Sequence, residues 1–250
     1  MQHYFLKNHQ FNDRTVKIIG EDCFHIGKVM RFKPGEVIIC HNEKSEAFKC
    51  QITLVSKEMV LADIIGPLDT NTELPCKISL AQGLVKKDKL EMTLKYATQC
   101  GIISYQAVDC SRSVIHLKDL HNNKDERFKT IAKEAAEQSE RTVVPAILSG
   151  VSFDEFLIES HAYDIKIVAY EEEGRKNNTS LSSLLKNAQN KNILVFVGPE
   201  GGFSTEEIML LKYHGFHCVG LGKRILRTEM ACWSLLSVIG YECEWRETCD

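Results

Sequence analysis

No stretch of this 250-residue chain approaches the ~18 consecutive apolar residues of a membrane-crossing helix. Met1 to Asn12 (MQHYFLKNHQFN) has neither the apolar core nor the small-residue cleavage site of a secretory signal. A cytoplasmic protein with no membrane partner is therefore expected. No CxxC occurs, which leaves out the zinc ribbon and the thioredoxin-type redox pair. HExxH, GxSxG, GxxxxGK[ST] and GxGxxG are missing as well, so a zincin, a serine-elbow hydrolase, a P-loop and a dinucleotide fingerprint are not written here, and no metal is expected. Gly222-Lys223 has the look of a phosphate loop's end, but position 217 is His and the next residue is Arg224.

What is present suits one or two soluble cores: 44% hydrophobic and 26% charged residues are ordinary for a globular chain. The ten cysteines do not form a disulfide framework at this length and spacing. Several lie in apolar runs, such as Cys40 in VIICHN and Cys218 in HCVGLG, where a reduced thiol packs as a small hydrophobe. The net charge is −3, and it is uneven. Residues 1–70 carry 9 basic against 9 acidic groups, residues 71–145 carry 12 against 10, and residues 146–250 carry 10 against 15. Basic character is local, in Lys28/Arg31/Lys33, Lys86/Lys87/Lys89 and Arg112, and such clusters are often no more than solvated faces.

The first seventy residues read as a small β-barrel with one helix. Thr15–Ile19, Glu36–His41, Ala47–Val55 and Met59–Ile65 are short runs rich in Val, Ile and Phe. Glu21–Met30 has a partial helical period, and Lys33-Pro34-Gly35-Glu36 is a turn. Gly66–Thr72 shifts in composition and is taken as the linker, giving domains 1–70 and 71–250. Beyond it, strands alternate with helices. The strands are expected at Lys77–Ala81, Gln106–Asp109, Val144–Leu148, Lys166–Tyr170, Ile193–Val197 and His217–Leu221. The helices are expected at Lys87–Gln99, Lys124–Glu140, Phe153–Ser160, Leu181–Ala188, Thr205–His214 and Thr228–Cys243. That alternation predicts a parallel α/β sheet with ligands at the carboxyl ends of its strands.

Two loops carry the chemistry. ILVFVGPEGG (193–202) is a buried strand running into a loop of glycines with one proline, followed by Ser204-Thr-Glu-Glu207, which has the spacing of a capping box. GLGKRILRTEMA (220–231) again follows a strand and precedes a long helix, with Ile225 and Leu226 between Arg224 and Arg227. An apolar pair in such a loop can form a slot for a planar ring. Either loop alone is equally a plain strand-to-helix turn.

Taken together and in this order, Gly198-Pro199-Glu200-Gly201-Gly202 and Leu221-Gly222-Lys223-Arg224-Ile225-Leu226-Arg227-Thr228-Glu229 resemble the SPOUT class of RNA methyltransferases. More narrowly, the chain is similar to the bacterial family that methylates N3 of a uridine in 16S ribosomal RNA. The likeness extends to Ile26–Glu36, to Lys86–Glu91 with Lys95, to Ser111-Arg112-Ser113 and to Glu134–Arg141. Three positions depart from the family pattern: Met230 where Thr is usual, Glu140 where a small residue is common, and Gln99 where Glu is common.

The resemblance implies a PUA-like β-barrel followed by a trefoil-knotted α/β domain, acting as a homodimer on 16S rRNA of the small ribosomal subunit. It implies S-adenosylmethionine bound by Tyr170, Glu171, Gly198, Pro199, Glu200, Gly201, Gly202, Leu221, Gly222, Ile225 and Leu226. Uracil N3 must shed its proton for in-line attack, and a cation near it can stabilise the anion. Arg112 and Arg141 are candidates for that role, with Lys86 near the base or its phosphate. Lys28, Arg31 and Lys33 are the expected RNA contacts. Two other classes stay open at this point: an RNA-binding or ribosome-assembly module without catalysis, and a nucleotide-binding metabolic enzyme, which the missing GxGxxG disfavours.

Overall fold

The structure is a computed structural model and describes residues 1–69, 71–119, 124–176, 181–186 and 188–245. Thr70 of the expected linker, residue 187 of the helix expected at Leu181–Ala188, and Cys249 lie outside the described residues. The chain forms two compact units, Met1–Glu73 with Ala136–Val144 and Leu74–Ala135 with Pro145–Asp250. This partition differs from a single cut after residue 70 in running the first stretch on to Glu73 and in assigning Ala136–Val144 to the first unit.

The first unit is a five-stranded curled sheet. Its strands are β1 (His3–Phe5), β2 (Thr15–Ile19), β3 (Val37–His41), β4 (Ala47–Val55) and β5 (Met59–Pro67), in the order β1-β3-β4-β5-β2. Alternation buries Cys50 and Ile52 of β4 against Val16, Ile18, Ile38 and Val60. The β4–β5 register slips between Lys49 and Cys50 and again between Ile52 and Leu54, and such bulges sharpen the twist that curls a sheet. The single helix expected over Glu21–Met30 is instead two pieces. α1 (Gly20–Phe24) passes into a wider turn over His25–Met30, closed by the Arg31 N–H donating to Ile26 O five residues back, with Arg31 at φ 56°. The linker begins later than expected, because Gly66 and Pro67 belong to β5.

The second unit is an all-parallel sheet of β6 (Lys77–Gly83), β7 (Ile102–Asp109), β8 (Ala146–Ile147), β9 (Val151–Ser152), β10 (Ile165–Ala169), β11 (Asn192–Val197) and β12 (His217–Val219). The order is β12-β10-β11-β6-β7-β8, with β9 also on β7. β11 is buried from Ile193 to Val197, as a central parallel strand should be. The helices are α2 (Lys87–Gln99), α3 (Lys124–Gln138), α4 (Phe153–Glu159), α5 (Glu171–Lys176), α6 (Leu181–Leu185), α7 (Thr205–Tyr213) and α8 (Thr228–Gly240). Phe128, Ile131, Ala132 and Ala135 of α3 are buried as one stripe. Several bounds change: β7 starts at Ile102, the strand expected at Val144–Leu148 forms only over Ala146–Ile147 with β9 a separate piece beyond it, β12 ends at Val219, α6 ends at Leu185, and α8 ends at Gly240 before a wide turn over Tyr241–Trp245.

This topology positions the site. From β10 the chain moves inward to β11, beside β6, and then returns to β12 on the far side of β10. Where strand order reverses, the connections leave toward opposite sides and open a crevice at the carboxyl ends. Both Gly-rich loops sit there, one after β11 and one after β12.

Candidate active site

The first loop is held from several sides. The Gly202 N–H donates to Pro199 O at 2.9 Å, closing a turn. Ser204 and Glu207 form the expected capping box at the head of α7, the Ser204 N–H donating to Glu207 Oε2 at 2.8 Å and the Glu207 N–H to Ser204 Oγ at 3.1 Å. The other oxygen of the buried Glu207 carboxylate accepts the Ser111 N–H at 2.8 Å, tying the turn after β7 to the same helix. From the second loop, the buried Thr228 hydroxyl donates to Gly198 O at 2.6 Å, so the two loops are bonded to each other. Gly222, at φ +99°, gives the second loop a bend that L side chains rarely adopt.

Between the loops lies a cavity of about 440 Å³. Its wall includes every residue expected to touch a cofactor, from Tyr170 and Glu171 through Gly198–Gly202 to Leu221, Gly222, Ile225 and Leu226. It also includes residues not expected to touch a cofactor: Lys89, Phe203, Arg224, Arg227 and Thr228. Ile225 is 75% exposed, so the apolar slot is open on one side. Tyr170 keeps its hydroxyl protonated above the usual phenol range, through burial first and then the carboxylates of Glu172 and Glu171. Lys89 is half-buried, its Nζ 3.1 Å from Glu200 Oε1 and 3.9 Å from Glu229 Oε2.

The other expected site residues fall in different places. Arg112 is exposed on the turn after β7, its Nη1 3.5 Å from Gly201 O, beside the first loop but not on the cavity wall. Lys86 is the exposed N-cap residue of α2 and does not line the cavity. Arg141 is 3% exposed in the first unit, with its Nε donating to Glu73 Oε2 at 3.1 Å and its Nη2 bonded to the same carboxylate. Glu73 also accepts the Thr142 N–H at 2.9 Å and the Val143 N–H at 3.2 Å, so this arginine closes a buried structural pair. Lys28, Arg31 and Lys33 are exposed on and just after the wide turn, together with Phe24 and Val29. The described cysteines are free thiols, all buried except the half-buried Cys100. Among the described residues, no group of three or more His, Cys, Asp or Glu is arranged to hold a metal, and no helix is long and apolar enough to cross a membrane.

Known families match almost end to end: an RNA methyltransferase PUA domain over residues 18–65 and an RNA methyltransferase domain over residues 72–240. This chain belongs to the RNA methyltransferase family. This methyltransferase is 39% identical to the ribosomal RNA small subunit methyltransferase E of Bacillus subtilis, over 98% of both chains. It is 29% identical to the protein of the same name from Synechocystis, over 89% of this chain and 71% of that one. The crystal structure of a ribosomal RNA small subunit methyltransferase E from Neisseria gonorrhoeae bound to S-adenosyl methionine aligns with a TM-score of 0.85 at 27% identity, covering 96% of each chain. A methyltransferase from Legionella pneumophila in complex with the same cofactor aligns at 0.82 and 28%, over 95% of this chain and 96% of that one. The fold class expected for this methyltransferase therefore holds: a SPOUT-type α/β domain after a small PUA-like β-barrel.

Proposed function

We propose that this enzyme transfers the methyl group of S-adenosylmethionine to N3 of a uridine in 16S rRNA of the small ribosomal subunit. One observation carries the reading: a cavity at the reversal of strand order, walled by two mutually bonded, Gly-rich loops. The residues fit the cofactor. About 440 Å³ lies in the range of small-molecule sites, the loops offer backbone amides and carbonyls to a ring edge, and the carboxylates of Glu171 and Glu200 suit a cationic ligand. Tyr170, Glu171, Gly198–Gly202, Leu221, Gly222, Ile225 and Leu226 would hold it. When bound, it supplies a methyl carbon already activated by the sulfonium.

The chain's own residues then align and stabilise. Gly198, Gly201, Gly202 and Gly222 keep their parts of the cavity wall as backbone, which lets a flat ligand approach closely. Arg112, next to Gly201, offers a cation to the RNA at the mouth of the site, and Lys86 offers a second. The barrel (1–70) positions RNA through phosphate contacts from Lys28, Arg31 and Lys33, and the α/β domain (71–250) receives one base withdrawn from its stack. The enzyme works as a homodimer in the cytoplasm. Support for pairing comes from α2 and α8, which pack on each other through Tyr96 and Trp233 and leave the apolar side chains of Met92, Tyr96, Met230 and Val238 exposed. Light scattering at micromolar concentration is expected to give twice 28.4 kDa.

The test of function is methyl transfer from labelled S-adenosylmethionine to small subunits that lack the modification, followed by nucleoside analysis. Label in 3-methyluridine is expected. Saturable RNA binding without cofactor binding or label transfer would make the protein a binding module instead.

A further inference from the structure

We propose that Lys89 is the catalytic cation at the target base, held in place by Glu200 and Glu229, where it meets the negative charge that develops on N3 and O4 of the uracil. The proposal rests on the methyltransferase reading above and names a residue that reading left open.

The first turn of α2 is a poor place for lysine, because the positive end of a helix dipole disfavours cations there. The sequence nevertheless sets Lys86, Lys87 and Lys89 at this point. Their surroundings differ. Lys86 is exposed, and Lys87 reaches back along its own helix to Glu91 at 3.8 Å. Lys89 alone of the three lines the cavity. Its Nζ stands between Glu200 of the first loop, at 3.1 Å, and Glu229 of the first turn of α8, at 3.9 Å, so one ammonium joins both loops of the site. Glu229 has a side chain only 8% exposed, and its Oε2 accepts no hydrogen bond. A buried carboxylate oxygen without a donor is costly, and a 3.9 Å approach is not a hydrogen bond. The triad is thus set but not closed, and an ammonium with three donors has capacity left for a ligand oxygen in the cavity. Glu229 is the positioning residue: it acts on the base through Lys89.

The chemistry requires such a cation. The N3 proton leaves to water, and its electron pair spreads over N3 and O4. That pair becomes the new N3–carbon bond as the carbon–sulfur bond breaks toward sulfur. A donor aimed at the developing charge in a water-poor site is worth on the order of 10²–10³ in rate.

The test uses the full-length enzyme and a small-subunit RNA fragment that the wild type methylates, made with uridine or with 5-fluorouridine at the target. Fluorine makes the N3–H more acidic, so at mildly alkaline pH more of the base is already anionic. Without cofactor, the wild type is expected to bind the fluorinated RNA about ten-fold more tightly, as a charge-assisted hydrogen bond predicts. K89M should lose that preference, K89R should keep it and E229Q should weaken it, while all three bind S-adenosylmethionine in calorimetry. Methyl transfer by K89M should fall on the order of 10²–10³-fold on uridine and by at least about ten-fold less on fluorouridine. An unchanged preference in K89M, an equal deficit on both RNAs, or unfolding of both K89M and K89R would overturn the proposal and leave Lys89 a structural role. A wild type that neither binds the cofactor nor methylates the RNA would overturn the methyltransferase reading itself, and this inference with it.

Discussion

Gly83 ends β6 directly against the first loop, and a side chain there has nowhere to go. A Cβ at this position would lie 2.4 Å from Pro199 Cδ and 2.5 Å from the Pro199 nitrogen. Carbon atoms rest at about 3.5–4.0 Å, so Gly83→Ala forces Pro199 back by roughly 1 Å. The loop cannot yield freely, because Gly198 sits against the Phe203 ring, 3.0 Å from where a Cβ would stand, and its carbonyl is bonded to Thr228. Overpacking of this kind costs about 1–3 kcal/mol, or on the order of 5 °C in melting temperature for a unit of this size. The larger consequence is local: a wall displaced by about 1 Å should weaken S-adenosylmethionine binding at least about ten-fold. Thermal melts with and without the cofactor measure both effects, since ligand stabilisation scales with affinity. Gly66→Ala is the control, because a Cβ there meets nothing within 4 Å and its stability should change by less than about 0.5 kcal/mol. A Gly83→Ala protein that melts and binds like the wild type would refute the packing on which the site is built.

Arg141→Met should destabilise the protein by about 3–5 kcal/mol by leaving the Glu73 carboxylate unpaired, read as a lower urea midpoint. Methyl transfer per folded molecule should change far less, and a folded but inactive variant would return this arginine to the chemistry. His41 is buried, its Nε2 2.9 Å from His3 Nδ1, and burial first and then His3 hold it down at about 4 against 6.5 in the unfolded chain. The unfolded chain takes up this proton first as pH falls. The stability that neutral His41 contributes is therefore whole above about pH 6.5 and lost progressively toward pH 4, about 3 kcal/mol in all. Urea unfolding across that window should show the slope in the wild type and a flatter one in His41→Gln; equal slopes would clear His41 of the effect. Arg31→Ala should weaken binding to small-subunit RNA and reduce the slope of log K against log salt by about 1, and no change in either would remove the wide turn from the interface.

The parts of the fold that could be read in the sequence are those where one local signal dominates. β11 announces itself as an unbroken apolar run and α7 by its capping box, and both form where expected. α2 carries a clean helical period and keeps its expected limits. Other elements depend on partners the local sequence does not show. β1 is only three residues long and exists through its parallel pairing with β3. β8 and β9 are interrupted at Leu148–Gly150 because each needs β7 beside it, and α5 opens on three glutamates with no apolar stripe. The site divides the same way. The cavity walls are backbone loops, and glycine spacing marks them. Which lysine of α2 faces the cavity depends on how the helix is turned against α8 and the first loop, and of Lys86, Lys87 and Lys89 it is Lys89 that lies on the wall. Arg141 follows the end of the helix expected at Lys124–Glu140, and nothing local to it reveals that Glu73, 68 residues away, holds it.

If the two bonded loops hold S-adenosylmethionine and direct its methyl group out of the cavity toward RNA, diffraction from crystals grown with the cofactor will show it between them. The adenine ring should lie between Leu221 and Leu226, with the sulfonium beside Gly198–Gly202 and on the side of the Glu171 carboxylate. Cofactor density elsewhere on the α/β unit, or loops that stay empty at saturating cofactor, would contradict it.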